Sequence, residues 1–509
     1  MVDLFVPKQG PILVRLTVPK QLLPSTPGEV TLSFIRLTDD AWRRVSDLPR
    51  RVVVSSREDL RLEYQVDVKP LGDSGNDNRL AIASDLPSGR LLPLWSLLPK
   101  LSGAVRSERL KTSSLHVASE LPVTCTMEGR PGAWWGLHPN DLYSGLLVAG
   151  KTYEAVGSNG LRFLSTDFDE PTMGRYAAVE KQASALLEKW TGPRQNLRTI
   201  VIVKKPASLS PNGVMGVNVG LNAIVVATSF FDGSALSQEG FTMLHELTHS
   251  SLPTDGNVPH WIGEGFTDYF AQRLGIELDG FGPETHRELL SESWKAFMEV
   301  APSGRAGSTE VGDYLGGRVL AHCVDVRLRR DGSSLEDVLR KARARADGEL
   351  TNDLWEAEIA VASSAAGARI VSARIDALDP PEVCFAEERL RRRPATTGVS
   401  LAVVVALTGI RAVVLDPRNV GVLVSEADPK GHFQKGDRLT WLEGTRLVSL
   451  AHLQEALLAV AFKRQVRIEY LRLGISRFVD LTIPPTVLGF TTPVDRPIWV
   501  PADSKEPTR

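Results

Sequence analysis

The run His245-Glu-Leu-Thr-His249, followed fifteen residues later by Glu264, restricts the fold more than any other feature of the chain. Residues four apart on an α-helix stand one turn above each other on the same face, so His245 and His249 reach a common point only from a helix. Phe241, Leu244 and Leu247 give that helix, expected over 237–250, an apolar face for the core. A second helix is expected from near Pro259 to Gly275, with Trp261, Ile262, Phe266, Tyr269 and Phe270 as its apolar residues. It carries Glu264 and, one turn further, Asp268 on one face. The chain must therefore pack two helices with these polar residues turned to one point. The alternative is a surface helix with incidental histidines.

Two imidazoles and one carboxylate form the donor set of a catalytic zinc site, which keeps three protein ligands and an open fourth position. We expect one zinc ion on His245, His249 and Glu264. Glu246 projects close to the same face, where it can take a proton from an activated water. Asp268 is placed to accept a hydrogen bond from a ligand histidine and fix its tautomer. Cobalt or manganese could replace zinc in such a site, though the set suits zinc well.

The rest of the chain changes texture several times. Up to about Val156 it is strand-like, with strict alternation over Leu60-Arg-Leu-Glu-Tyr-Gln-Val-Asp-Val68, which predicts an all-β N-terminal domain. After Gly160 a helix over 172–190, a strand at 199–203 and another at 223–227 predict mixed α/β structure. Helical periodicity persists to about Ala377, with Ser333-Ser-Leu-Glu336 as a capping box. Arg391-Arg-Arg-Pro394, with Arg389, looks like a solvated linker, a β-rich block runs from about Thr397 to Pro484, and a proline-rich tail follows.

A length of 509 residues allows three or four domains, each with its own core. With 59 Lys and Arg against 61 Asp and Glu there is no basic surplus to neutralise phosphates, so nucleic acid is not an expected partner. The cysteines Cys125, Cys323 and Cys384 are odd in number and far apart, so neither a CxxC metal motif nor a disulfide framework is expected, and Cys323 is assigned to the core. The longest apolar stretch, from Gly398, is broken by Ser400, Thr408, Gly409 and Arg411 before it reaches the ~20 residues of a membrane helix. No transmembrane segment is expected. The first residues lack the basic start and apolar core of a signal peptide, which predicts a cytoplasmic protein, or a periplasmic or secreted one if a leader preceded Met1. His260 lies close enough to the zinc site to be a second electrostatic helper, but just ahead of a tryptophan at a helix start it is read as structural.

HExxH followed on the next helix by Trp-x-x-Glu-Gly-x-x-Asp-Tyr resembles the gluzincin zinc peptidases. The stretches 313–329 and 332–340 look like the glycyl aminopeptidase branch of that family, which carries a C-terminal PDZ domain. The resemblance, covering roughly 172–484, implies a multidomain α+β fold. Its parts would be an N-terminal β-sheet domain (1–156), a thermolysin-like α/β catalytic domain (157–275), a helical subdomain completing the site (276–392), a PDZ-like domain (393–490) and a tail (491–509). It implies hydrolysis of peptide bonds, at small N-terminal residues, with Glu246 as general base. It assigns to Tyr314 the phenol that stabilises the tetrahedral oxyanion, from a Tyr-x-Lys-Gly motif whose lysine is Gly316 here. It also maps a glycine-rich, substrate-binding edge strand onto Gly213, Met215 and Gly216, with Gly216 where a glutamate would pair with the substrate's free amino group. That departure leaves open an endopeptidase without amine recognition. A non-catalytic PDZ scaffold with a vestigial peptidase fold is the other alternative. In the last block, Lys435-Gly-Asp-Arg-Leu-Thr-Trp-Leu-Glu-Gly444 and the helical His452-Leu-Gln-Glu-Ala-Leu457 look like a PDZ signature. This implies a carboxylate-binding loop at Thr408, Gly409 and Ile410 for a C-terminal peptide ligand, besides the peptide or protein substrate.

Overall fold

The structure is a computed structural model. It describes, apart from a few residues within these ranges, 1–33, 45–71, 83–103, 113–137, 145–205, 215–252, 258–300, 310–372, 384, 390–394, 410–415, 422–456, 465–482 and 497–501. The chain divides into two units, Met1–Ala178 with Gln195–Thr228, and Val179–Arg194 with Ser229–Arg509.

The first unit is built on sheets, as the alternating patterns predict. Leu60–Val66 buries every second residue and pairs antiparallel with Ile12–Val18. That strand pairs with Val2–Val6, which also runs parallel to Ser113–Ser119. Val6, Ile12, Val14, Val30 and Leu115 meet in one apolar core. A five-stranded mixed sheet follows, in the order Tyr153–Val156, Arg162–Ser165, Thr199–Lys204, Ala223–Thr228 and Met215–Val219. Its three central strands are parallel, and Ala223–Thr228 is buried along its whole length, as an uninterrupted apolar run requires. The last strand closes one edge antiparallel, with Gly216 opposite Val226.

Helix α1 (Glu170–Thr191) connects two of the parallel strands. The second unit then runs through α2 (Gln238–His249), α3 (His260–Leu278), α4 (Pro283–Val300), α5 (Glu310–Arg330), α6 (Leu335–Arg345), α7 (Asn352–Ala362) and α8 (Ser364–Ser372). Helix α2 begins where Ser237 Oγ accepts from Gly240 N at 3.0 Å. Helix α3 continues three residues past the expected stop at Gly275. That glycine serves packing instead, since a Cβ there would lie 2.6 Å from Leu236 Cδ2.

Helices α3 and α5 touch backbone to backbone. A Cβ on Gly317 would lie 2.2 Å from Trp261 O, and one on Gly265 2.3 Å from Gly317 Cα. The corner beyond them is ionic. Asp325 accepts from Tyr269 Oη at 2.6 Å, Arg329 Nε at 3.0 Å and Leu335 N at 2.9 Å, while Glu336 pairs with Arg273 and Arg329. The cap of α6 is accordingly not the expected Ser333 with Glu336. Ser334 Oγ accepts from Asp337 N, one residue later, because Glu336 is drawn into the arginine pairs.

Two further expectations need correction. Cys323 is buried as expected, but it is disulfide-bonded to Cys384, 61 residues away, leaving Cys125 as the free cysteine. Leu390–Pro394 is not a linker: it pairs antiparallel with Pro497–Pro501 from the proline-rich tail, and such a two-stranded ribbon tolerates prolines at its ends.

The last β-rich block forms an antiparallel sheet of Ile410–Leu415, Val422–Ala427, Arg438–Leu442, Gln465–Arg472 and Ile475–Thr482, neighbours in that order. It has its own core of Ile410, Val424, Phe433, Leu439, Ile468 and Tyr470. Gly436 takes a φ of +95° in the turn before the third strand, and buried Asp437 pairs with Arg472 at 2.6 Å. Arg446 pairs with Asp279 after the end of α3, and the His452 ring stacks on Phe281 at 4.7 Å. Among the described residues no helix is long and apolar enough to cross a membrane.

Candidate metal centre

Helices α2 and α3 bring the donor atoms together. His245 Nε2 lies 3.1 Å from His249 Nε2 and 3.1 Å from Glu264 Oε2, and His249 Nε2 lies 3.5 Å from the same oxygen. A tetrahedral ion with bonds of about 2.1 Å sets its ligand atoms about 3.4 Å apart. The three separations bracket that value, so this donor set fits zinc without rearrangement. Among the described residues this is the one group of three such side chains that could hold a metal ion.

The other ring nitrogens are engaged. His245 Nδ1 is 2.7 Å from Asp268 Oδ1, and His249 Nδ1 is 3.2 Å from Thr267 Oγ1. Thr267 Oγ1 in turn donates to the carbonyl of Gly263. Each imidazole thus has its Nδ1 edge held and its Nε2 edge turned to the common point. Glu264, Thr267 and Asp268 stand at i, i+3 and i+4, one stripe of α3.

The electrostatics favour a cation at that point. Burial alone would lower the pKa of His245, yet hydrogen bonds and charge from Asp268 and Glu264 raise it well above the usual histidine range. Burial would raise Glu264, but its hydrogen bonds to His245 and His249 hold it below the usual carboxylate range. A proton or a metal ion satisfies the same potential. Asp268 behaves likewise: burial works against its charge, and the neighbouring Arg318 guanidinium and His245 keep it low.

Glu246, between the two histidines on α2, is 7% exposed. Burial raises its pKa, against the opposing pull of His245 and His249. Tyr314, at the start of the second turn of α5, sets its ring 6.0 Å from that of His245 and 5.8 Å from that of His260. Burial and the Glu264 charge push its phenol above the usual range, so it stays protonated and able to donate. Gly316, where the resemblance expects a lysine, faces Phe297: a Cβ there would be 2.6 Å from the ring. The aromatic side chain fills the space that a longer residue would take.

His260, weighed as an electrostatic helper against a structural residue, lies beside the ligand set. Its Nδ1 is 3.1 Å from Asp313 Oδ2, its Nε2 is 3.9 Å from Glu264 Oε1, and its side chain is 53% exposed. Thr267 and Arg318 were missed altogether. Thr267 could have been found as a hydroxyl one residue before Asp268 on the ligand stripe, but nothing local marks Arg318. Met215 and Gly216 lie on the edge strand of the first unit. Gly213, Thr408 and Gly409 lie outside the described residues, and Ile410 opens the first strand of the C-terminal sheet.

No protein-family model matches the sequence, and a search of curated proteins yields no match. Solved structures do match. The aminopeptidase N family protein from Idiomarina loihiensis is 12% identical, with a TM-score of 0.54 over 97% of this chain and 98% of that one. The M1 zinc metallopeptidase from Deinococcus radiodurans is 16% identical, with a TM-score of 0.45 over 73% of this chain and 92% of that one. Leukotriene A4 hydrolase from Saccharomyces cerevisiae is 13% identical, with a TM-score of 0.43 over 73% of this chain and 66% of that one. The first of these likenesses establishes a shared fold along nearly the whole chain.

Proposed function

We propose that this chain is a zinc-dependent peptidase of the gluzincin type that removes small residues from peptide N-termini. The observation that carries the reading is the convergence of His245 Nε2, His249 Nε2 and Glu264 Oε2 at zinc-compatible spacing, with buried Glu246 on the same helix. Zinc, when bound, polarises a carbonyl oxygen and acidifies a water molecule. Glu246 takes the proton of the attacking water and passes it to the leaving amine; its raised pKa makes it a better acceptor than an exposed glutamate. Tyr314 donates its phenolic hydrogen bond to the oxygen on which negative charge develops. Asp268 holds His245 in orientation.

The edge strand with Met215 and Gly216, preceded by Gly213, serves as the substrate's backbone partner in this reading. Gly216 also favours a second reading, an endopeptidase, because a glycine cannot neutralise the ammonium of a free N-terminus. The two are separated by comparing cleavage of glycine- and alanine-headed peptides with their N-acetylated forms. We expect acetylation to abolish cleavage. Equal rates would reject the aminopeptidase and leave the endopeptidase, and no cleavage of either by chain carrying one zinc ion would reject peptidase activity.

Domain limits near 156, 275 and 392 belong to the same proposal, with the C-terminal sheet as a PDZ-like module that takes a peptide C-terminus at Thr408, Gly409 and Ile410. The glycine turn at Gly436, the Asp437 pair and the separate core support it. Peptides with a free C-terminal carboxylate are expected to bind the full chain more tightly than the same peptides amidated. Equal affinity would reject carboxylate capture.

A further inference from the structure

A buried cation stands two hydrogen bonds from the ligand set, with Asp268 between. Arg318, on α5, is 2% exposed. Its Nη2 donates to Asp268 Oδ2, and its Nη1 lies 3.2 Å from Ser293 Oγ on α4. Asp268 gives its other oxygen to His245 Nδ1 at 2.7 Å. Three side chains from three helices thus form one line, Arg318 to Asp268 to His245, ending at a nitrogen of the metal centre.

The placement asks for a reason beyond packing. A buried ion pair is seldom a better source of stability than apolar residues of the same volume. A guanidinium does what an apolar pair cannot: anchored through Nη1 on Ser293 Oγ, it holds one oxygen of a carboxylate with Nη2. With Oδ2 held by Arg318, the Asp268 carboxylate cannot rotate about its own axis without losing a charged hydrogen bond. Oδ1 therefore stays aimed at His245 Nδ1, and His245 Nε2 stays aimed at the common point. The phenol of Tyr314 is one turn earlier on the same helix as Arg318, so a single rigid element carries both.

We propose that Arg318 is a positioning residue of the metal centre: by clamping Asp268 it sets the orientation of His245 and hence the affinity for zinc, without touching ion or substrate. This rests on the zinc-site reading above. Carboxylates that hydrogen-bond a metal-ligating histidine, as Asp268 does, commonly change metal affinity by about 10–100-fold when removed, and Arg318 acts through that carboxylate.

Zinc dissociation constants of the full-length protein, measured by competition with a chelator, test the assignment. Arg318→Gln and Asp268→Asn are each expected to weaken zinc binding by about 10–100-fold. Because both act through one bond, the double variant should lose no more than the weaker-binding single one. Arg318→Lys, which keeps the charge but not the guanidinium, should fall between wild type and Arg318→Gln. Losses that multiply in the double variant, or an Arg318→Gln affinity equal to wild type, would overturn the proposal. Should Arg318→Gln fail to fold, Arg318→Lys decides: within twofold of wild type overturns it, a larger loss supports it. A wild-type chain that takes up no zinc would instead refute the site itself.

Discussion

Glu246→Gln is expected to lower kcat by about 10²–10⁴ while the protein still takes up one zinc ion per chain. The substitution keeps the shape of the side chain and removes its ability to accept a proton. Glu246 is 7% exposed, and its carboxylate is not one of the three converging donor groups. Loss of the base should therefore leave metal content and KM nearly unchanged. Tyr314→Phe should act in the same direction, by about 10²–10³ for loss of one oxyanion donor, again in kcat and not in metal content. Steady-state kinetics on an alanine-headed peptide, with zinc analysis of the same preparations, checks both. Activity surviving Glu246→Gln, or zinc lost together with activity, would reject the role of general base.

Gly317→Ala is expected to lower stability by about 3 kcal/mol or more, a large effect for one methyl group. The added Cβ would lie 2.2 Å from Trp261 O and 2.8 Å from Gly265 Cα. Both contacts are with backbone, so no rotamer change relieves them. Helices α3 and α5 would have to separate, exposing part of the core that contains Phe266 and Leu320. Gly263→Ala provides the control on the facing helix α3: its Cβ would meet only Val258 Cγ1, at 3.7 Å, and the usual helical preference for alanine should make it neutral or stabilising by up to about 1 kcal/mol. Urea unfolding followed by tryptophan fluorescence distinguishes the two. Gly317→Ala unfolding at the wild-type midpoint would mean that the close approach of the helices is not required.

What the sequence revealed and what it concealed follow from sequence distance. His245, His249, Glu264 and Asp268 were legible because helix periodicity alone aligns them, four apart within one helix and four apart within the next. The alternation at Leu60–Val66 and the apolar run at Ala223–Thr228 were legible for the same local reason. The failures are non-local. Arg318 meets Asp268 across 50 residues, Cys323 meets Cys384 across 61, and Arg391 pairs with Val500 only once the tail has returned. A run of arginines has the local character of a solvated linker, and only its distant partner makes it a strand. The cap at Ser334 was missed by one residue because Arg273 and Arg329 outcompete a helix end for Glu336. Gly275 and Gly316 show the same limit, since a glycine that ends a helix and one that admits a neighbouring side chain look identical in sequence.

The backbone contact between Gly265 and Gly317 also has a mechanical meaning. Glu264 precedes one of these glycines directly, and Tyr314 precedes the other by less than a turn. Side chains that interdigitate can slip past one another by changing rotamers; two bare backbones in contact have no such lubricant. The carboxylate and the phenol are in effect cast in one piece, and no hinge can lie between them. Any displacement of one of these two groups has to carry the other with it.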